Sequence, residues 1–264
     1  MQVGTAYLLS TFDLVNVGDV DVVRQAAAES DRVEARVLSD DAVREVTGVS
    51  PVVPARERLE IVGSLREIAD AAIFDPRDAL KRGPRDVVFA RADVGVGRAA
   101  VDRLLMPREQ FLDDWVRTAP TTTGGVLGYV PGAWDRFHIG HLNILKRARQ
   151  MCDRLVVGVV TDEELFAAKG RMPMVPLEER VRVVAAMDIV DAVVVDFSTS
   201  KLDVWDRVRF DVLFKGDDWR GTAKGDRLEQ EMSSVGASVR YFPYTAHTSS
   251  TALRQILAGR AAVA

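Results

Sequence analysis

Sliding residues 5–75 forward by 122 positions lays them without a gap on residues 127–197. Tyr7 then meets Tyr129, Asp13 meets Asp135, and Gly18 meets Gly140. Asp31-Arg32 falls on Asp153-Arg154, Asp40 on Asp162, Gly48 on Gly170, Pro51 on Pro173 and Pro54 on Pro176. Glu57-Arg58 lands on Glu179-Arg180. Generic patterning would align only apolar positions; here turn, cap and charged residues carry the match. A constant offset over the whole stretch argues for a duplicated unit. The chain must therefore fold twice on one plan, and the expected division is a domain at 1–120 and a second at 121–264. The join is expected in Thr118-Ala-Pro-Thr-Thr-Thr-Gly-Gly125, rich in residues that interrupt regular structure.

The plan is α/β. Strand-length apolar runs at Val126–Val130, Leu155–Val160, Ala192–Val195, Val212–Phe214 and Val239–Phe242 alternate with helical stretches. Helices are expected at about 139–151, 162–168, 176–188, 201–208, 225–235 and 249–258. Alternation of this kind predicts parallel strands with crossover helices on both faces, here two tandem Rossmann-like, doubly wound sheets. A ligand of an open sheet lies beyond the carboxyl ends of its strands, where the strand order reverses. His138, Asp162, Gly216 and Asp217 all follow strands and are expected to gather there.

Two of the three histidines lie in Gly128-Tyr-Val-Pro-Gly-Ala-Trp-Asp-Arg-Phe-His-Ile-Gly-His141, where a strand gives way to a helix. The start of a helix has unpaired N–H groups and the positive end of its dipole, which favour a phosphate. Two imidazoles beside it add donors for charge building up on a reacting phosphoryl group. A zinc site would need a third ligand; Cys152, His247 and the carboxylates stand at no familiar ligand spacing, so no metal site is expected. The net charge of −4 opposes a general nucleic-acid binder, which presents a strongly basic surface. A single cysteine excludes a disulfide framework and suits a reducing compartment. The start, Met1-Gln-Val-Gly-Thr, lacks the features of a secretion signal. No apolar run approaches the ~20 residues of a membrane span. A cytoplasmic protein without nucleic-acid or membrane partners is expected.

The first copy lacks the chemistry. Asn16 and Asp19 stand where His138 and His141 stand, and Thr47 replaces Lys169. Asp86-Val-Val-Phe89 echoes Asp211-Val-Leu-Phe214 after a three-residue shift, but no Gly-Asp-Asp-Trp follows it. This half reads as a degenerate partner, an intramolecular pseudo-dimer with its twin, whose further self-association stays open. Linkage in one chain would raise the effective concentration of the pair.

The run Trp134-Asp-Arg-Phe-His-Ile-Gly-His141 resembles the signature of the cytidylyltransferase family within the HxGH nucleotidyltransferases. Thr161-Asp-Glu163, Lys169, Pro176-Leu-Glu-Glu-Arg180, Phe214-Lys-Gly-Asp-Asp-Trp219 and Thr248-Ser-Ser-Thr251 follow in order, so the resemblance covers about residues 125–258. Gly216-Asp-Asp-Trp219 is most similar to the glycerol-3-phosphate enzymes and less so to the heptose-phosphate adenylyltransferases. The chain departs from that pattern at Asp188, where those enzymes carry an arginine and which lies opposite Arg66 of the first copy, and at His247, where they carry glycine.

The resemblance implies transfer of CMP from CTP to a phosphorylated alcohol, with glycerol 3-phosphate as first choice and Mg2+ travelling with the nucleotide. Phosphoethanolamine, another polyol phosphate or a sugar phosphate is an alternative acceptor. ATP is an alternative donor, and a nucleotide-binding regulator is the alternative to an enzyme. It implies that His138, His141 and Lys169 are catalytic. It places Val130, Gly132, Trp134, Asp135, Gly140, Arg180, Gly216, Asp217, Asp218, Trp219, Thr248, Ser249, Ser250 and Thr251 around the nucleotide. Read from the residues alone, other roles stay open. Lys169 then reads as a solvated loop lysine, Arg180 equally as a partner of Glu178 or Glu179 on the helix face, and Asp135 as a brace for its turn. Asp217-Asp218 and the hydroxyl run are equally helix caps, and Trp219 a core residue.

Overall fold

The computed structural model describes residues 2–92, 101–108, 124–243 and 250–261. Met1–Leu112 together with Thr251–Ala264 form one compact unit, and Asp113–Ser250 form another. The last helix is thereby counted with the first unit, where the sequence division placed it with the second; the expected join at 120/121 lies outside the described residues.

The first unit runs β1 (Val3–Ser10), α1 (Val17–Glu29), β2 (Ser30–Leu38), α2 (Asp40–Thr47), α3 (Ala55–Val62), β3 (Asp70–Phe74), β4 (Val87–Arg91) and β5 (Arg103–Leu105). The second runs β6 (Leu127–Gly132), α4 (Ile139–Arg149), β7 (Arg154–Val160), α5 (Asp162–Lys169), α6 (Leu177–Ala185), β8 (Ala192–Asp196), α7 (Lys201–Val208) and β9 (Val212–Gly216). A 3-10 turn (Asp217–Trp219), α8 (Ala223–Ser234) and β10 (Ser238–Phe242) follow, and α9 (Ser250–Ala261) is the last described element. The ten strands among the described residues all pair in parallel, in sheets ordered β3-β2-β1-β4-β5 and β10-β9-β6-β7-β8. Written from the same end, the second order is β8-β7-β6-β9-β10, the same winding as the first. The α/β class and the strand and helix positions expected from the alternation are those observed. Parallel strands of this kind are buried on both faces, and their near-continuous valine and leucine runs are the cause.

The local devices agree as closely as the order does. Asn16 and His138, 122 positions apart, cap α1 and α4 with extended backbones (φ −133°, ψ 178° and φ −141°, ψ 172°). Ser39 and Thr161 cap α2 and α5 through their hydroxyls, and Gly48 and Gly170 end these helices in the left-handed conformation. Phe12 and Leu14 have positive φ, as do Trp134 and Arg136 at the matching positions. Positive φ is costly for a bulky residue and persists only where packing dictates it. Asp13 accepts the amides of Val52 and Val53, and Asp135 those of Met174 and Val175.

In the second unit Tyr129, Val156, Leu213 and Phe210 pack beneath Val204 and Val208 of α7 and Leu228 and Met232 of α8. Ile139, Leu142, Leu145 and Ala148 form the buried stripe of α4. That helix ends on Lys146, Arg147 and Arg149, whose charges suit the negative end of its dipole. The β6/β9 boundary, where the strand order reverses, lies beside the start of α4. No described helix is long and apolar enough to cross a membrane.

Candidate active site

The chain leaves β6 through Gly132, whose missing side chain makes room for Trp134. A Cβ at Gly132 would lie 2.8 Å from the Trp134 ring. Trp134 is buried and donates its Nε1–H to Gly158 O at 2.8 Å. Its indole lies 5.1 Å from the His141 ring, centre to centre, and Phe137 lies 5.6 Å from the same ring. Two aromatic neighbours fix His141, and His138 stacks on it with ring centres 3.8 Å apart. The sequence spacing of His-x-Gly-His thus becomes a single stacked pair at the first turn of α4.

His138 Nδ1 accepts the Gly140 amide at 3.1 Å. A neutral imidazole bonded this way carries its proton on Nε2. Burial, with the Arg136 guanidinium, pushes His138 down to about 4, against the opposing pull of Asp135. His141 is held well below its ordinary value by burial and by the charges of His138 and Lys169. Both rings are therefore neutral at pH 7. They can donate to a phosphate while adding no charge of their own to a site already positive at its helix start. His141 Nδ1 is sealed from solvent and has no hydrogen-bond partner among the described residues.

Lys169, the last residue of α5, is exposed, yet its charge reaches both His141 and Lys215. Asp217 and Asp218 are exposed on the turn after β9, and Trp219 is half-buried against the α7/α8 core. Gly216 ends β9 beside them. Gly140 gives its amide to the His138 cap. Thr248 and Ser249 lie outside the described residues; Ser250 and Thr251 open α9.

Four residues singled out in the sequence take up the following places in the structure. Arg180 is not a free fork for phosphate. It is fully buried and donates from Nε to Val175 O (2.9 Å), from Nη1 to Ala133 O and Val160 O, and from Nη2 to Asp162. Those four bonds occupy all but one of its five N–H donors, so it staples the turn before α6 to the ends of β6 and β7. Its alternative pairing with Glu178 or Glu179 is replaced by Asp162. Arg58 does the same in the first unit, bonding Val53 O, Thr11 O and Asp40. Val130 is wholly buried, so its side chain belongs to the core rather than to a ligand wall. Asp135 spends Oδ1 on two backbone amides and acts as the brace. Asp188 follows α6 and precedes β8, at the edge where the strands begin, whereas the histidine pair lies at the edge where they end. A charge at that position does not face the pair within its own unit.

The sequence reading missed a buried polar network on the α7/α8 face. Tyr129 Oη donates to Asp196 at 2.9 Å, and Lys201 Nζ bonds both Asp196 oxygens (3.1 and 2.8 Å) and Ser198 O (2.9 Å). Gly158 makes this possible, since a Cβ there would lie 1.9 Å from Tyr129 Oη. Burial and the Asp196 charge hold the Tyr129 hydroxyl well above its ordinary value, so it stays a donor. Lys215 of β9 was missed too. Its signal in the sequence is a lysine in the otherwise apolar strand that runs into Gly216-Asp-Asp-Trp219. Among the described residues no group of three or more His, Cys, Asp or Glu side chains is placed to hold a metal ion.

The first unit arranges its matching junction differently. Asn16 Oδ1 accepts the Gly18 amide at 2.9 Å, and Asp19 Oδ2 accepts the Asn16 amide at 3.0 Å. Arg91, at the end of β4, donates to Asp19 at 2.9 Å and to Asn16 Oδ1 at 3.1 Å. A Cβ at Gly18 would meet Arg91 Nη2 at 2.9 Å. A guanidinium and a carboxylate fill the space over the helix start that the second unit leaves to its histidines.

Residues 129–256 match the cytidylyltransferase-like family model. Among curated proteins, "Bifunctional protein HldE" of Acidiphilium cryptum is 32% identical over 232 residues, covering 86% of this chain and 45% of that protein. Ethanolamine-phosphate cytidylyltransferase of Arabidopsis thaliana is 41% identical over 95 residues, covering 34% of this chain and 22% of that one. The chain spans less than half the length of these relatives. Among solved structures, a lipopolysaccharide core biosynthesis protein from Thermoplasma volcanium aligns with a TM-score of 0.41 at 20% identity, over 47% of this chain and all of that one.

Proposed function

We propose that the second unit transfers CMP from Mg-CTP to a phosphorylated alcohol, glycerol 3-phosphate first among them. The observation that carries this reading is the His138–His141 pair, neutral, stacked and placed at the first turn of α4, with the His138 proton fixed on Nε2. An acceptor phosphate oxygen attacks the α-phosphorus; the new P–O bond forms as the bond to the β-phosphate bridge breaks, and pyrophosphate leaves with that electron pair. The nucleophile is already anionic at neutral pH, so no general base is needed. Catalysis rests on positioning and on donors aimed at the developing charge. In this reading His138 and His141 donate to the α-phosphate and the bridge oxygen, held in place by Trp134 and Gly140. Lys169 brings a mobile charge. Gly216, Asp217, Asp218 and Trp219 border the base and ribose, and Thr248, Ser249, Ser250 and Thr251 meet the β- and γ-phosphates. Similarity to an ethanolamine-phosphate cytidylyltransferase supports an acceptor that is a phosphorylated alcohol.

In the same reading residues 1–120 are a degenerate copy of the catalytic domain 121–264, kept as its intramolecular partner in a cytoplasmic protein. Support comes from the shared winding, the paired caps and positive-φ positions, and the Arg91–Asp19 ion pair over the first helix start. The test is pyrophosphate release from CTP or ATP against a panel of glycerol 3-phosphate, phosphoethanolamine and sugar phosphates. Release with CTP and one acceptor supports the reading, and release with ATP alone moves the donor. Tight CTP binding without release from any acceptor makes the protein a nucleotide-binding regulator.

A further inference from the structure

Lys215 is an unusual lysine. It lies on a parallel strand, two residues beyond Leu213, whose side chain is in the core beneath α7 and α8. Alternation along a strand puts Lys215 on that same face. It is half-buried, and among the described residues its ammonium makes no hydrogen bond and no ion pair. Among the described residues it lies against the Trp219 ring, whose centre is 4.2 Å from Nζ. A desolvated ammonium with unused donors is expensive, and a cation–π contact recovers only part of the cost.

The surroundings show what such a group waits for. Lys201 is already saturated by Asp196 and Ser198. Asp196 spends both oxygens on Lys201 and Tyr129, so it does not bond Lys215. Asp218 and Lys169 exert charge on Lys215 without touching it. Burial and Lys201 bring the ammonium down to about 8, with Asp196 and Asp218 opposing and Lys169 adding to the fall. It thus keeps most of its charge at pH 7. Parallel register sets Tyr129 beside Leu213, which brings Lys215 level with Pro131 near the end of β6. Lys215 therefore borders the β6/β9 switch point from the α7/α8 face, while the histidine pair borders it from the α4 face. In the first unit the β1–β4 register sets Leu9 beside Ala90, the position equivalent to Lys215. The copy whose helix start is filled by Arg91 has no cation there.

We propose that Lys215 is an anion-binding residue of this site, whose ammonium takes a phosphate group of a substrate across the switch-point crevice from His138 and His141. This rests on the nucleotidyltransferase reading above. The phosphate belongs either to the nucleotide's triphosphate or to the acceptor's monoester, and binding distinguishes the two. Calorimetric titrations use Mg-CTP alone, glycerol 3-phosphate alone and phosphoethanolamine alone, on the full chain and on Lys215→Met, Lys215→Arg and Lys224→Met. Lys224 is an exposed cation on α8 and controls for general charge loss. Lys215→Met is expected to weaken one class of ligand at least tenfold, Lys215→Arg to recover most of that, and Lys224→Met to change nothing. Methionine is nearly isosteric and breaks no hydrogen bond, so the thermal midpoint of Lys215→Met should hold or rise; a purely structural lysine would lower it and leave affinity alone. Loss of CTP affinity assigns the triphosphate, and loss of monoester affinity assigns the acceptor. Equal affinities in wild type and Lys215→Met overturn the Lys215 assignment and leave the functional reading standing. A wild type that binds none of the three overturns both.

Discussion

Replacing His138 with asparagine separates its two jobs. The first unit already supplies the control, because Asn16 holds the matching cap with nearly the same backbone angles and accepts its Gly18 amide at 2.9 Å. Asparagine at 138 can therefore keep the bond to Gly140 that His138 Nδ1 now accepts. Losing a cap to alanine costs about 1 kcal/mol; His138→Ala should show that loss at pH 7, whereas His138→Asn should avoid it and unfold at nearly the wild-type urea midpoint. Turnover should fall in both variants. The lost Nε2–H donor is worth about 3 kcal/mol of transition-state stabilisation, or roughly a hundredfold or more in rate.

Acid titration adds a second readout. The folded imidazole is at about 4, below the unfolded value of about 6.5. Between those values the unfolded chain binds a proton that the folded chain does not, so stability rises with pH. The site imposes no penalty at pH 7. It costs up to about 3 kcal/mol as pH falls through that window, and the loss levels off below about pH 4. His138→Asn removes this contribution, so its urea midpoint should fall less between pH 7 and pH 4.5 than wild type's. Pyrophosphate release and urea unfolding at both pH values make the assay. If His138→Asn turns over within a few-fold of wild type, or loses stability in acid as steeply, the reasoning fails.

Arg180→Lys should cost roughly 3 kcal/mol or more, since a buried ion pair loses its geometry and several carbonyls lose their donors; the folded fraction should keep its KM for CTP, and a large rise in KM would return Arg180 to the nucleotide. Gly158→Ala places a methyl against Tyr129 Oη, and overpacking of this kind should cost about 1–3 kcal/mol in a urea titration; an unchanged midpoint would show that the Tyr129–Asp196 bond is dispensable. Calorimetry should find one nucleotide per chain, because Arg91 and Asp19 fill the first helix start, and a stoichiometry of two would refute that account.

The winding was legible because it is local information repeated. Caps at Ser39 and Thr161, left-handed glycines at 48 and 170, and apolar runs of strand length each specify their own element. The offset of 122 announced that the second half would repeat the first half's plan. The histidine pair was legible for the same reason, since three residues at the start of a helix suffice to bring two rings together.

What the sequence by itself determined, then, is the order of elements, the two helix starts and the contrast between His138-His141 and Asn16-Asp19. Only tertiary structure decided which charged residues are spent and which remain available. Arg180 and Lys215 look alike as cations near motifs, yet one is surrounded by carbonyls from β6, β7 and the turn before α6, and the other by an indole. The reason is physical. The partners of a buried charge come from strands far apart in sequence, and hydrogen bonding and desolvation are set by those neighbours rather than by the residue's own spacing.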